Sequence, residues 1–177
     1  MENTEINYDD NFLSPNDFKN VVNYCHDASY IYGESDDYGL PPTGMISMIE
    51  SDEWIFNLFK TKLENKCSFL REMDLYRMYI NCFAPNELPY FHIDGKGYTF
   101  LYYANENWNM QEGGETQFFL DGNIHGVSPI PNRLVMFNGM LQHRATSFRS
   151  QHRFTIAIKY GYDELPTEDD LALLRNK

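Results

Sequence analysis

The stretch YFHIDGKGYTFLYY, Tyr90 to Tyr103, decides how the chain is read. Its aromatic and β-branched residues suit a pleated, half-buried strand, yet it carries a histidine and an aspartate two positions apart. In an extended chain alternate side chains share a face, so His92 and Asp94 point one way and Ile93 the other. An imidazole and a carboxylate on one face can grip a metal ion. Alone the pair means little: five histidines and 13 aspartates in 177 residues produce about 0.4 His-x-Asp pairs by chance.

Around this stretch the chain divides into two textures. From Leu75 onward come short runs of aromatic and β-branched residues, LYRMYINCF, YFHID, YTFLYYAN, ETQFFL, RLVMFNG and RFTIAIKY. The turn signals APNELP, DGKG, EGG, DGN and PIPN separate them, which is the pattern of a β-sandwich or barrel. Upstream lie two helical patterns. SPNDFKNVVNYC opens with Ser14 as N-cap, Pro15 at the first helical position and Asp17 at N3, and Phe18, Val21, Val22 and Cys25 repeat at helical spacing. In SDEWIFNLFKTKLENKC a face is formed by Trp54, Ile55, Leu58, Phe59 and Leu63. Two amphipathic helices need a sheet to cover. The expected fold is therefore mainly β, a double-stranded β-helix (jelly roll) with N-terminal helices packed on one sheet. It forms a single domain over 1–177, with helical support at about 12–67 and a β core at about 75–162.

Between the helices, YGESDDYGLPPTGM reads as a connector, or less readily as a lid. EGGE, Glu112 to Glu115, reads as a turn entering a strand, since acids beside glycines repel phosphate. The tail DELPTEDDLALLRNK reads as a peripheral helix or a frayed end.

Composition narrows the function classes. Fourteen Lys and Arg against 26 Asp and Glu give a net charge of -12, which repels phosphate backbones and anionic lipid. Nucleic acid and membrane are accordingly not expected as partners. Three widely spaced cysteines, no secretory leader and no apolar run of about 18 residues read as a reduced, cytoplasmic protein, monomer or homodimer.

The rest of the constellation lies in FNGMLQHRATSFRSQHRFTIAIKY. His143 follows the strand-like RLVMF, and Arg153 stands ten residues later in another strand. Two histidines and a carboxylate that leave adjacent positions open form the facial triad suited to non-haem Fe(II). The triad supplies one negative charge, so a dianionic chelating cosubstrate can join it. Neutrality then requires one further cation, because an uncompensated charge in a partly dry cavity is costly. Arg153 fits, since a guanidinium forks onto a carboxylate in two hydrogen bonds. Alternation places Arg153, Thr155 and Ala157 on one face, and Phe154, Ile156 and Ile158 on the other. His125, in the turn-rich DGNIHGVSP, and His152 read as solvated rather than liganding.

HID, the distant QHR and the downstream RFT resemble the signature of the 2-oxoglutarate and Fe(II)-dependent dioxygenases. YTFLYYANENW followed by GGETQFF is similar to the corresponding region of prolyl 4-hydroxylases, including their oxygen-sensing branch. The resemblance spans roughly Leu75 to Tyr160. It implies that His92, Asp94 and His143 are the catalytic iron ligands, that Arg153 grips the far carboxylate of 2-oxoglutarate, and that Tyr103 and Thr155 donate hydrogen bonds to it. Leu101, on the face of Tyr103, lines the pocket. Where prolyl hydroxylases often carry a tyrosine this chain has Phe83, so that hydrogen bond is missing or moves to Asn81 or Tyr79.

The implied reaction consumes O2 and 2-oxoglutarate, releases succinate and CO2, and uses ascorbate as a supporting reductant. A prolyl residue in a peptide or protein is the leading substrate. A free amino acid or other small molecule is the close rival. A cupin-like binding module is disfavoured by the complete triad with Arg153, and a nucleic-acid demethylase by the net charge.

Overall fold

The computed structural model describes residues 6–33, 35 and 39–161. Ten strands and two α-helices follow in chain order: β1 (Asn7–Asp9), α1 (Pro15–Asp27), β2 (Ile31–Tyr32), β3 (Met45–Met48), α2 (Trp54–Lys66), β4 (Asp74–Phe83), β5 (Gly97–Tyr103), β6 (Thr116–Leu120), β7 (Asn123–Val127), β8 (Leu134–Asn138), β9 (His143–Ala145) and β10 (Arg153–Gly161). Seven of the strands form one sheet in the order β1-β8-β5-β10-β4-β3-β2, and β7-β6-β9 form a smaller one. His92 adds a single bridge to His143 at the free side of β9. Every pairing between strands is antiparallel. This is the jelly roll expected from the sequence.

The helices begin where their caps place them. The Asp17 amide donates to Ser14 Oγ at 3.2 Å, and Pro15 fills the first turn, where no intrahelical donor is needed. Val21, Val22 and Cys25 of α1 and Ile55, Phe59 and Leu63 of α2 are buried. All of these but Val22 pack on the outer face of the large sheet, in one cluster with Ile80, Phe100, Tyr102, Ile156 and Ile158. Trp54 departs from the expected face: it is 49% exposed and meets Tyr24 edge-on. A second cluster, Tyr79, Leu101, Tyr103, Phe118, Val135, Phe137 and Ala157, fills the space between the sheets.

β10 is central, paired with β4 and β5, and all nine of its residues are buried. Its alternation sends Phe154, Ile156 and Ile158 to the helix side and leaves Arg153, Thr155, Ala157 and Lys159 facing the other sheet.

Four differences from the sequence reading stand out. YFHID is not a strand; Pro89 supplies no N–H, Gly95 and Gly97 turn the chain at φ 111 and 131, and only His92 pairs. The segment before residue 75 is not purely helical, because β1, β2 and β3 lengthen both edges of the large sheet. The connector YGESDDYGLPPTGM starts in β2 and ends in β3, and β3 pairs with β4. His125 lies in β7, opposite Phe118, although it is exposed as expected. The C-terminal tail lies outside the described residues. Among the described residues no helix is long and apolar enough to cross a membrane.

Phe59 joins the helix layer to the sheet: it is fully buried and lies 6.2 Å from the Phe12 ring and 5.0 Å from Tyr102. Phe59→Ala should lower unfolding stability by about 3–5 kcal/mol, read as a shifted denaturant midpoint at unchanged slope.

Candidate active site

The site forms where the two sheets face each other and is assembled by backbone before side chains. His92 and His143 exchange N–H···O bonds at 3.0 Å in both directions, which sets their rings 4.5 Å apart. Each histidine then bonds a carbonyl two residues upstream, His92 Nδ1 to Tyr90 O at 3.0 Å and His143 Nδ1 to Leu141 O at 2.9 Å. A carbonyl only accepts, so Nδ1 of each ring carries a proton and Nε2 is the nitrogen turned toward Asp94.

Asp94 is held by the next turn. Its N–H bonds Gly139 O at 2.8 Å, and Gly139 N–H bonds Gly97 O at 2.9 Å. A side chain at Gly139 would run into the backbone of Gly95, so only glycine allows this approach. The carboxylate reaches 3.8 Å from His92 Nε2 and 3.4 Å from His143 Nε2. One donor atom from each of the three residues lies within 4.8 Å of the others.

The electrostatics suit a cation. Phe137 and Phe118 wall His143, and burial pushes its imidazole down to about 4 against the pull of Asp94. It is therefore neutral at pH 7. Burial raises the Asp94 carboxyl, but the charge and hydrogen bond of Lys159 lead the effects that offset this and hold it well below the usual range. Two neutral imidazoles and a carboxylate are the donor set for a divalent iron-type ion.

The cavity beside these groups is lined by Tyr79, Asn81, Leu101, Thr116, Arg153 and Thr155, among others, and measures about 390 Å³ including its mouth. Arg153 is 1% exposed. It donates from Nε to Gly114 O and from Nη2 to Thr116 Oγ1, both at 2.9 Å, and lies over the Tyr103 ring. Among the described residues no carboxylate lies within 4 Å of it. Burial lowers its pKa, but a guanidinium remains charged. Among the described residues the sheet thus contains a buried cation that forms no salt bridge.

Tyr103 lies against this group, its hydroxyl 2.7 Å from Thr116 Oγ1. Thr155 Oγ1 is buried with no hydrogen-bond partner. Asn81 and Tyr79 stand opposite Thr155 and Ala157 on β4. Phe83, one pair along, turns to Ala145, Phe148 and Trp108. Trp108 is an anchor: its Nε1–H bonds Gly113 O at 3.0 Å. His152 is exposed and lines no part of the cavity.

Three further residues were not singled out from the sequence for this site: Lys159, Thr99 and Thr116. Thr99 Oγ1 donates to Asp94 Oδ2 at 2.6 Å, and Lys159 Nζ lies 2.7 Å from Asp94 Oδ1. The signal for Lys159 was present, because the alternation that selects Arg153, Thr155 and Ala157 continues to it.

The His-x-Asp…His cluster between the sheets of this jelly roll, with a buried arginine beside it, offers the donor atoms of a two-histidine, one-carboxylate site. Residues 80–160 match the model of the 2OG-Fe(II) oxygenase superfamily. That segment carries all three clustered residues and Arg153. In fold the chain is similar to a prolyl-4-hydroxylase from Pseudomonas putida, at 16% identity over 92% of this chain and 95% of that one, with a TM-score of 0.70. It is likewise similar to a Trichoplax adhaerens prolyl hydroxylase solved with a hypoxia inducible factor peptide fragment, at 19% identity over 97% and 87%, TM-score 0.71. HygX from Streptomyces hygroscopicus, solved with nickel, 2-oxoglutarate and hygromycin B, aligns at 10% identity over 94% and 89%, TM-score 0.69. No curated protein matches the chain.

The unpartnered Thr155 hydroxyl gives a stability prediction independent of turnover. Burying a hydroxyl without a partner costs about 1–3 kcal/mol. Thr155→Val should therefore leave the ligand-free protein as stable as wild type or more so, by up to about 1 kcal/mol, in thermal unfolding.

Proposed function

We propose that the protein is an Fe(II)- and 2-oxoglutarate-dependent hydroxylase acting on a prolyl residue of a peptide or protein. The observation that carries this reading is the buried guanidinium of Arg153, with no carboxylate within 4 Å among the described residues, in the same cavity as the three converging donors. A buried cation calls for an anion. The family match supplies the candidate, a keto acid whose far carboxylate can receive the fork.

In this reading His92, Asp94 and His143 hold the ferrous ion. Their geometry fits: both Nε2 atoms face the Asp94 carboxylate, Asp94 is ionised, and the Nδ1 bonds fix ring orientation. Arg153 receives the far carboxylate of 2-oxoglutarate. Thr155 Oγ1, lacking a protein partner, turns its donor to the same group. Thr116 and Tyr103 keep the guanidinium in place, and Leu101 and Ala157 supply apolar wall. Asn81 or Tyr79 donates the hydrogen bond that Phe83 cannot.

When bound, the ferrous ion and 2-oxoglutarate supply oxidation by O2: succinate and CO2 leave, and one oxygen atom enters a substrate C–H bond. The residues above bind, orient and exclude water. Ascorbate serves as the reductant that keeps the metal ferrous.

Fold similarity to two prolyl hydroxylases supports the peptide substrate. A small-molecule substrate is the second reading, supported by the similar fold of HygX, whose structure holds hygromycin B, and by the departure at Phe83.

Incubation with Fe(II), 2-oxoglutarate and ascorbate, with prolyl peptides present, should yield succinate and a peptide heavier by one oxygen. Succinate without peptide oxidation would turn the assignment to the small-molecule reading; no succinate above a chelated control would refute both. Asp94→Ala should abolish turnover by removing the only anionic ligand. Arg153→Ala should raise the 2-oxoglutarate KM by about 30-fold or more, the loss of roughly 2 kcal/mol of charged hydrogen bonding, while metal binding persists.

A further inference from the structure

A second buried cation beside the site, Lys159, is not explained by the reading above. It lies on the same face of β10 as Arg153 and is 7% exposed. Its ammonium sits 2.7 Å from Asp94 Oδ1 and 5.2 Å from the centre of the Tyr79 ring. Thr99, its register partner on β5, holds the other oxygen of the same carboxylate. Asp94 is thereby gripped from outside on both oxygens, by one charged and one neutral donor. Each carboxylate oxygen has a second lone pair, so the grip does not prevent metal binding.

Its charge has a further effect. Fe(II), Asp94, a doubly charged keto acid and Arg153 balance, as read from the sequence. Lys159 adds one positive charge to that set. Among the described residues Asp94 is the only carboxylate within 4 Å of it, and a metal ion would draw on the same oxygens. In a buried site a fixed positive charge repels a second cation and attracts anions.

We propose that Lys159 is a positioning residue that tunes the centre electrostatically, weakening its hold on the divalent metal and strengthening its hold on anionic ligands of that metal. This rests on the metal reading of His92, Asp94 and His143. Two opposed effects from one side chain separate it from a merely structural residue, whose loss would weaken metal and anion binding together.

The test is ligand binding without turnover. Full-length wild type, Lys159→Gln and Lys159→Met are titrated with Co(II) by calorimetry; then 2-oxoglutarate, azide and neutral imidazole are added, with the visible Co(II) absorption as readout. Gln keeps a donor toward Asp94 without the charge, and Met removes both. Circular dichroism and thermal unfolding establish which variants fold, and the Gln variant keeps the test open should Met collapse the site. In the folded variants Co(II) should bind several-fold more tightly, 2-oxoglutarate and azide roughly tenfold more weakly, and imidazole unchanged. Metal and anion affinity falling together, or neither moving, would overturn the role of Lys159. Wild type that binds no Co(II), or binds it equally well as Asp94→Ala, would overturn the metal reading beneath it.

Discussion

The reciprocal pair of backbone bonds between His92 and His143 is the constraint on which the site depends. It closes the free side of the small sheet with one residue and requires no particular side chain. By fixing two distant stretches at one Cα–Cα step, it lets two imidazoles converge. Both rings are then turned by carbonyls of their own loops, so the donor atoms are preset by local geometry. Asp94 completes the set through the Gly95–Gly139 contact, where the absence of side chains lets two loops touch.

Charge organises the remainder. A net-acidic chain places two of its few cations, Arg153 and Lys159, inside the sheet face that lines the cavity. Among the described residues Lys159 has a carboxylate within 4 Å and Arg153 has none. That inequality gives the cavity two ends: an ionised carboxylate with its counter-ion at one, and a guanidinium held by neutral acceptors at the other. A ligand with a metal-binding group and a distant carboxylate matches this polarity.

Much of this was legible in the sequence because it depends on short-range pattern. The α1 cap, the buried stripes of both helices, β4, β5, β6, β8 and β10 follow from capping residues and from periods of 3.6 and 2. Edge strands were not legible: NYD and IY are exposed and too short to show alternation, and they enter the sheet by backbone pairing alone. His92 and Asp94 converge as the sequence implied, but through a bridge and a glycine turn rather than through a strand. Such contacts are long-range and leave no local signature. Lys159 could have been found by following the alternation of β10 two residues further; Thr116, on a strand of the opposite sheet, could not.

The alternation of β10 also guards the fold against error. A slip of one residue would carry Arg153 and Lys159 into the helix-packed layer and send Phe154, Ile156 and Ile158 into the polar cavity. Stranding two cations among apolar side chains is far costlier than misplacing neutral ones. The residues that equip the cavity therefore double as negative selection against mispairing, so the central strand has one acceptable alignment with its neighbours.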